Sequence, residues 1–145
     1  MKFLSKLRIT RSDCDNVILD KPFIIQLFSG YKFRVPRGFM TDYATIPRVL
    51  QGFYRKIGEG YYKSAVLHDF LYRYYCGQIS RRLADDIFLE AMGQEMKEVL
   101  YKKYNHFIIK QIMKLRFFIR KNIIYYAVRL GGWMIWNKYK KMLKI

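Results

Sequence analysis

The sequence predicts an α+β fold, in which an N-terminal β-hairpin or small antiparallel sheet precedes a mostly helical C-terminal two-thirds. Up to position 40, short apolar or alternating runs end at turn residues, as strands do. From Ser64 onward, apolar residues recur at the three- and four-residue spacing of helices. The chain has 145 residues, of which 52% are hydrophobic, enough for a substantial core. We therefore expect residues 1–145 to form a single domain.

The first 40 residues are expected to be mainly β structure. Residues 23–28 form a short apolar run that stops at Ser29-Gly30, and residues 31–35 alternate apolar or aromatic side chains with basic ones. This pattern predicts a hairpin that turns at Ser29-Gly30. Residues 2–9 supply a further candidate strand.

Residues 41–63 are expected to form a functional loop. Within it, Asp42 and Thr45 have side chains that can form hydrogen bonds with nearby backbone groups. Thr41, Thr45 and Arg48 are expected to support Asp42. A structural role is the alternative, in which Asp42 caps this turn or the short helix after it.

A helical hairpin is predicted for residues 64–98. Ser64 is a candidate N-cap for a helix that ends near Cys76. Ser80 is a candidate N-cap for a second helix over about residues 81–98.

Several titratable side chains are expected in the core of this hairpin. His68 and Asp69 stand in an otherwise apolar stretch, and Asp85 shares a helix face with apolar residues, whereas Asp86 should lie in solvent. A buried charge is costly unless it is paired, hydrogen-bonded or metal-bound. We therefore expect His68 and Asp69 to meet Asp42 or Asp85, either as a functional site or as a polar brace of the core. The arginines that could complete a brace are Arg48, Arg73 and Arg81.

Residues 107–145 are predicted to be a basic amphipathic helical region. Its apolar stripe consists of Ile108, Ile112, Leu115 and Ile119. Its cationic stripe consists of Lys103, Lys110, Lys114 and Lys121. The pattern favours a core-facing apolar stripe with solvated lysines, and the alternative is a helix that lies on an anionic membrane or on nucleic acid. Gly131-Gly132 permits a bend or close packing.

The charge of the chain favours an anionic partner. The net charge is +17, and 13 basic but only 2 acidic residues follow position 92. Such a surface attracts polyanions, namely nucleic acid, an anionic membrane or an acidic protein face. We find no secretory signal, no clean apolar span for a membrane, and no P-loop, dinucleotide-binding, nucleophile-elbow or HExxH motif.

Four segments carry a resemblance to a known family. They are residues 35–48 (VPRGFMTDYATIPR), 65–72 (AVLHDFLY), 80–92 (SRRLADDIFLEAM) and 127–136 (AVRLGGWMIW). In order and spacing they resemble a small phage- and prophage-encoded family of unknown function. Its pattern is VPxGFxTDxA[ST][IV]PR, AxxLHDxLY, SRxxADxIFxxAM and AVRxGGxxW. The resemblance implies a phage origin but no activity. The polar motif positions of the family fall on Thr41, Asp42, His68, Asp69 and Asp85.

Two functional hypotheses follow. The first is a non-catalytic phage accessory or virion-associated module, located in the virion or the host cytoplasm, in which the Asp/His cluster braces the core. Its basic surface would bind a phage structural protein, nucleic acid or an anionic membrane. The alternative is a metal-dependent hydrolase acting on cell-wall or phosphoester substrates, with Asp42, His68, Asp69 and Asp85 as catalytic residues. Asp42, His68 and Asp85 would then bind one divalent zinc, manganese or iron ion, which suits mixed imidazole and carboxylate ligands.

Overall fold

The computed structural model describes residues 1–11, 16–41 and 61–143. These residues form short antiparallel strands followed by three helices, which confirms the α+β class. The chain divides into two compact units, Met1–Ala44, called here the sheet unit, and Thr45–Ile145, called the helical unit. The expectation of a single domain stays a prediction.

The sheet unit contains two three-stranded antiparallel sheets among its described residues. Its strands are β1 Lys2–Phe3, β2 Ile9–Arg11, β3 Val17–Leu19, β4 Phe23–Gln26, β5 Lys32–Val35 and β6 Met40–Thr41. One sheet has the order β1-β4-β5 and the other β2-β3-β6. Their buried side chains, which include Leu19, Phe23 and Ile25, form the core of this unit.

The predicted hairpin is formed by β4 and β5. The N–H of Gly30 donates to the carbonyl of Leu27 at 3.1 Å, and Gly30 has a φ of 87°, which glycine adopts without steric cost. In β5, Phe33 and Val35 are buried while the basic residues that alternate with them, Lys32 and Arg34, are exposed. The alternation in the sequence therefore marks the inner and outer faces of this strand.

The helical unit consists of three described helices. They are α1 Tyr62–Tyr74, α2 Arg81–Lys103 and α3 Phe107–Met142. Ser80 caps α2 as predicted, since its Oγ accepts a hydrogen bond from the backbone N–H of Leu83 at 3.1 Å. The prediction for Ser64 is wrong, because α1 begins at Tyr62, with Tyr61 at the N-cap position and no side-chain cap from that residue.

The core of the helical unit lies where α2 and α3 pack against each other and against α1. Leu67 and Leu71 of α1, Phe88 and Met92 of α2, and Val128 of α3 are all inaccessible to solvent. The helix α3 continues through Gly131 and Gly132. A bend or close packing is expected at these glycines, and close packing is found at Gly132.

The favoured orientation of the C-terminal apolar stripe is wrong. Ile108, Ile112, Leu115 and Ile119 are 49–72% exposed. The buried residues of α3 are instead Phe117, Ile124, Val128, Gly132 and Trp136. The helix has two apolar faces, and the one that carries Gly132 packs inward because only there can α3 approach α1 closely.

The cationic stripe is also not continuous. Lys103 is the last residue of α2, and residues 104–106 separate it from α3. Lys110 and Lys121 are partly buried, with their ammonium groups over the rings of Tyr101 and Phe118 at 4.2 and 5.4 Å from the centroids. Lys114 is exposed.

Candidate functional site

Asp85 is the centre of a buried polar network. Its Oδ1 accepts hydrogen bonds from the Nε2–H of His68 at 2.9 Å and the hydroxyl of Tyr72 at 2.6 Å. Its Oδ2 accepts one from Arg129 Nη1 at 2.7 Å, and Arg81 Nη1 lies 3.7 Å away. Asp85 is inaccessible to solvent. The network therefore joins all three helices through one carboxylate.

The partners of Asp85 favour its ionised form. Burial alone would raise the pKa of Asp85, but hydrogen bonds from His68, Tyr72 and Arg129 hold this pKa below its ordinary value. The hydrogen bond between Arg129 and Asp85 also raises the pKa of the Arg129 guanidinium. Burial, followed by the negative charge of Asp85, raises the pKa of Tyr72. The tyrosine thus stays a neutral donor, and the carboxylate stays an acceptor whose two oxygens are both engaged.

Helix spacing explains how the network is assembled. His68 and Tyr72 are four residues apart on α1, so both side chains face the same point on α2. The ring of His68 also stacks on Phe88 with centroids 4.4 Å apart, and the ring of Tyr72 contacts Trp136 edge to face at 4.9 Å. These aromatic contacts fix the two donors against Asp85.

Gly132 completes the packing around this network. A Cβ atom at Gly132 would lie 2.7 Å from the Tyr72 hydroxyl oxygen, closer than real Cβ contacts come. That hydroxyl is also held 2.6 Å from Asp85. The absence of a side chain at Gly132 is therefore what allows α3 to approach Tyr72.

The structure brings together two of the four predicted catalytic residues. His68 and Asp85 are in direct contact. Asp69 is buried on α1, and its Oδ2 lies 3.5 Å from Arg73 Nη2. Asp42 lies outside the described residues. Its predicted role, and with it the three-ligand metal site, stays a prediction.

The His, Cys, Asp and Glu side chains of the described residues do not cluster as metal ligands do. Within residues 1–11, 16–41 and 61–143, no group of three or more His, Cys, Asp or Glu side chains could hold a metal ion. His68 Nδ1 is buried and has no hydrogen-bond partner among these residues. Among the described residues of the network, this imidazole nitrogen is therefore the candidate atom for binding a metal.

The supporting residues of the predicted loop are only partly described. Thr41 is buried at the end of β6, where it pairs with Val17 of β3. Thr45 and Arg48 lie outside the described residues. Of the arginines expected to brace Asp85, Arg81 lies near it, whereas Arg73 Nε donates to the hydroxyl of Tyr139 on α3 at 3.1 Å.

A second buried carboxylate, missed by sequence analysis, caps α1 from α2. Glu95 Oε1 accepts from the backbone N–H of Lys63, and Oε2 accepts from the N–H and the hydroxyl of Ser64, each at 3.0 Å. The first N–H groups of a helix have no partner within it, so Glu95 replaces the missing local cap. Burial raises the pKa of Glu95, and the hydrogen bonds from Lys63 and Ser64 partly oppose this rise.

The sequence contained signals for two of the missed residues. Glu95 lies eleven residues after Ala84, on the helical stripe that includes Phe88 and Ala91, and an acid on such a stripe is expected to be paired in the core. Arg129 stands in an apolar stretch beside Gly131-Gly132, where a cation needs a buried acid. Neither signal identifies the partner, because the partner is on another helix.

Comparison with known proteins gives a family without an assigned activity. The family described as "Protein of unknown function (DUF1353)" matches residues 17–109, more than half of the chain. The match includes three of the four segments on which the resemblance rests and ends at the third residue of α3. No curated protein and no solved structure shows significant similarity to the chain. Among the described residues, no helix has the length and apolarity needed to cross a membrane.

Proposed function

The chain belongs to the DUF1353 family, and we propose that it is a phage accessory or virion-associated protein that acts by binding an anionic partner rather than by catalysis. The observation that carries this proposal is the engagement of both oxygens of Asp85 by donors. The origin in a phage rests on the sequence resemblance alone.

Asp85 has the surroundings of a brace. A catalytic carboxylate or a metal ligand needs an open position for substrate or metal beside it. Asp85 is inaccessible to solvent and receives hydrogen bonds from His68, Tyr72 and Arg129. A buried carboxylate with both oxygens hydrogen-bonded fixes the relative position of the elements that its donors belong to.

The basic surface is carried mainly by α3. This helix has nine basic and no acidic residues over its 36 positions. Only Arg129 of these nine is held in the Asp85 network. Arg116, Lys138 and Lys141 are exposed, so their charge is available to an anionic partner.

A charge-reversal experiment tests the binding function. The variant Arg116→Glu/Lys138→Glu/Lys141→Glu should weaken binding to duplex DNA or to anionic vesicles by more than about tenfold at low salt, because each exposed cation contributes to attraction. A matched control reverses three exposed charges of the sheet unit, at Lys2, Lys32 and Arg37. Equal loss in both variants, or no binding by the wild type, would contradict a specific role for α3.

Replacement of Asp85 distinguishes a brace from a catalytic site. Asp85→Ala should lower the free energy of unfolding by about 2–5 kcal/mol, because Arg129 and two buried donors lose their acceptor. Asp86→Ala is the matched control. Asp86 is exposed and its bonds to Tyr125 and Arg82 are at the surface, so the cost should be below about 1 kcal/mol. Urea unfolding measures both values.

The hydrolase remains the second candidate because of one observation, the unpartnered Nδ1 of His68 among the described residues. Protein purified without chelator or affinity tag would contain about one transition metal per chain if this nitrogen bound a metal, and His68→Ala would lose it. That result, together with unchanged stability of Asp85→Ala, would replace the brace with a metal site. Metal-free wild type with a destabilised Asp85→Ala variant supports the binding module.

A further inference from the structure

The helix α3 presents a second apolar face to solvent. A surface helix of a globular protein normally has one apolar stripe, which faces the core. Here the core-facing stripe ends in Val128, Gly132 and Trp136, all buried. Ile119 and Ile123 lie nine residues before Val128 and Gly132, which is two and a half turns of a helix with about 3.6 residues per turn. They therefore point away from the core.

This outer apolar face extends from Ile108 to Trp133 of α3. Its aliphatic members are Ile108, Ile112, Leu115, Ile119, Ile123 and Leu130, each at least 45% exposed. Tyr126 and Trp133 continue the same row at 63% and 54% exposure. Scattered exposed apolar residues are normal, but a continuous row of large ones marks an interaction surface.

Charge determines what kind of partner fits. Exposed Arg116 lies beside the outer apolar face and exposed Lys141 follows its C-terminal end, and α3 has no acidic residue that could pair with a cation of a second copy. Two such helices packed face to face would bring like charges together, which is unfavourable. The partner of this face must therefore be anionic, to match the basic residues, and must also accept apolar side chains.

We propose that the outer apolar face of α3 docks on the surface of an anionic phospholipid bilayer. The proposal rests on the binding function proposed above and names its partner. The helix would lie in the plane of the interface, with its isoleucines and leucines in the acyl boundary and its basic residues at the headgroups. Trp133 and Tyr126 are side chains that favour this depth. At about 1.5 Å per residue, the face from Ile108 to Trp133 gives a contact about 38 Å long.

Two tryptophans make the docking measurable. Trp133 lies on the outer apolar face and Trp136 is 6% exposed in the core. Adding vesicles that contain anionic phosphatidylglycerol should shift the fluorescence emission of the wild type to shorter wavelength, because Trp133 leaves water. Trp133→Phe should keep vesicle binding in a sedimentation assay but lose the shift. Zwitterionic vesicles should bind more than about tenfold more weakly.

Substitution within the outer apolar face separates this proposal from general anion binding. Ile112→Gln/Leu115→Gln/Ile119→Gln leaves the charge unchanged and should reduce partition into anionic vesicles by at least about tenfold, since apolar burial drives insertion. The same variant should retain its binding to duplex DNA if such binding occurs. A control variant removes three exposed apolar side chains elsewhere, at Leu4, Phe28 and Leu83, and should bind vesicles like the wild type.

Three results would overturn the proposal, each in a different way. Vesicle binding that survives the triple glutamine variant would overturn docking through this face. A wild-type dimer that becomes monomeric in the same variant would also overturn it, because a second copy would then cover the face. DNA binding that charge reversal abolishes, without any vesicle binding, would overturn the bilayer as partner while leaving the binding function in place.

Discussion

The close approach of α3 to Tyr72 makes a quantitative prediction for Gly132→Ala. The new Cβ would lie 2.7 Å from a hydroxyl that Asp85 holds at 2.6 Å. Relieving this clash costs the hydrogen bond, which is worth about 1.5–3 kcal/mol when the acceptor is charged, and it also leaves overpacking that costs about 1–3 kcal/mol. The higher helix propensity of alanine offsets about 1 kcal/mol of this cost. We expect Gly132→Ala to destabilise the protein by about 2–4 kcal/mol.

The hydroxyl of Tyr72 should account for nearly all of this cost. In a Tyr72→Phe background the next atom is the ring carbon Cζ at 3.5 Å from the new Cβ, an ordinary van der Waals distance. Gly132→Ala should then change the free energy of unfolding by less than about 1 kcal/mol, and in the stabilising direction. The double-mutant cycle should give a coupling of about 2–4 kcal/mol between the two positions.

Equilibrium urea unfolding of the four proteins measures the cycle, and Gly93→Ala provides the control. Gly93 is also in a helix, but the nearest atom to a methyl group added there is Lys121 Nζ, at 3.9 Å. This variant should be stabilised by up to about 1 kcal/mol. Additive effects of Gly132→Ala and Tyr72→Phe, with coupling below about 0.5 kcal/mol, would refute the geometry described for the network.

Two further predictions concern the charged groups of the core. The pKa of Glu95 is raised above its ordinary value of 4.5 in the folded protein, so the native state binds more protons than the unfolded state while the pH lies between the unfolded and folded pKa values. Wild type should therefore lose stability relative to Glu95→Gln as the pH rises through this range, and urea unfolding between about pH 4 and 7 checks the sign. Arg129→Met should cost about 2–4 kcal/mol because it removes the 2.7 Å partner of Asp85. Arg81→Met removes a longer contact with Asp85, at 3.7 Å, and a hydrogen bond to the backbone carbonyl of Arg129, and should cost less, about 1–2 kcal/mol. Equal costs in thermal unfolding would contradict this ranking.

Much of the fold follows from local sequence, whereas the polar network depends on tertiary contacts. Periodicity alone puts Asp85 inside and Asp86 outside, and the structure agrees. Periodicity could not orient α3, because a helix with two apolar faces offers two solutions. Nor could it find the role of Glu95, since the donors that this residue satisfies belong to the backbone of another helix. The role of Asp42 stays a prediction.

The two apolar faces of α3 explain what the Asp85 network contributes to the fold. Both faces carry large apolar side chains, so apolar patterning by itself does not specify the rotation of the helix about its axis. Turning α3 to bury its outer apolar face would take Arg129 away from Asp85 and replace Gly132 opposite Tyr72 with a bulky side chain. Leaving a buried charge unpaired costs about 3–5 kcal/mol. We infer that this penalty selects one rotation and leaves the other apolar face available for a partner.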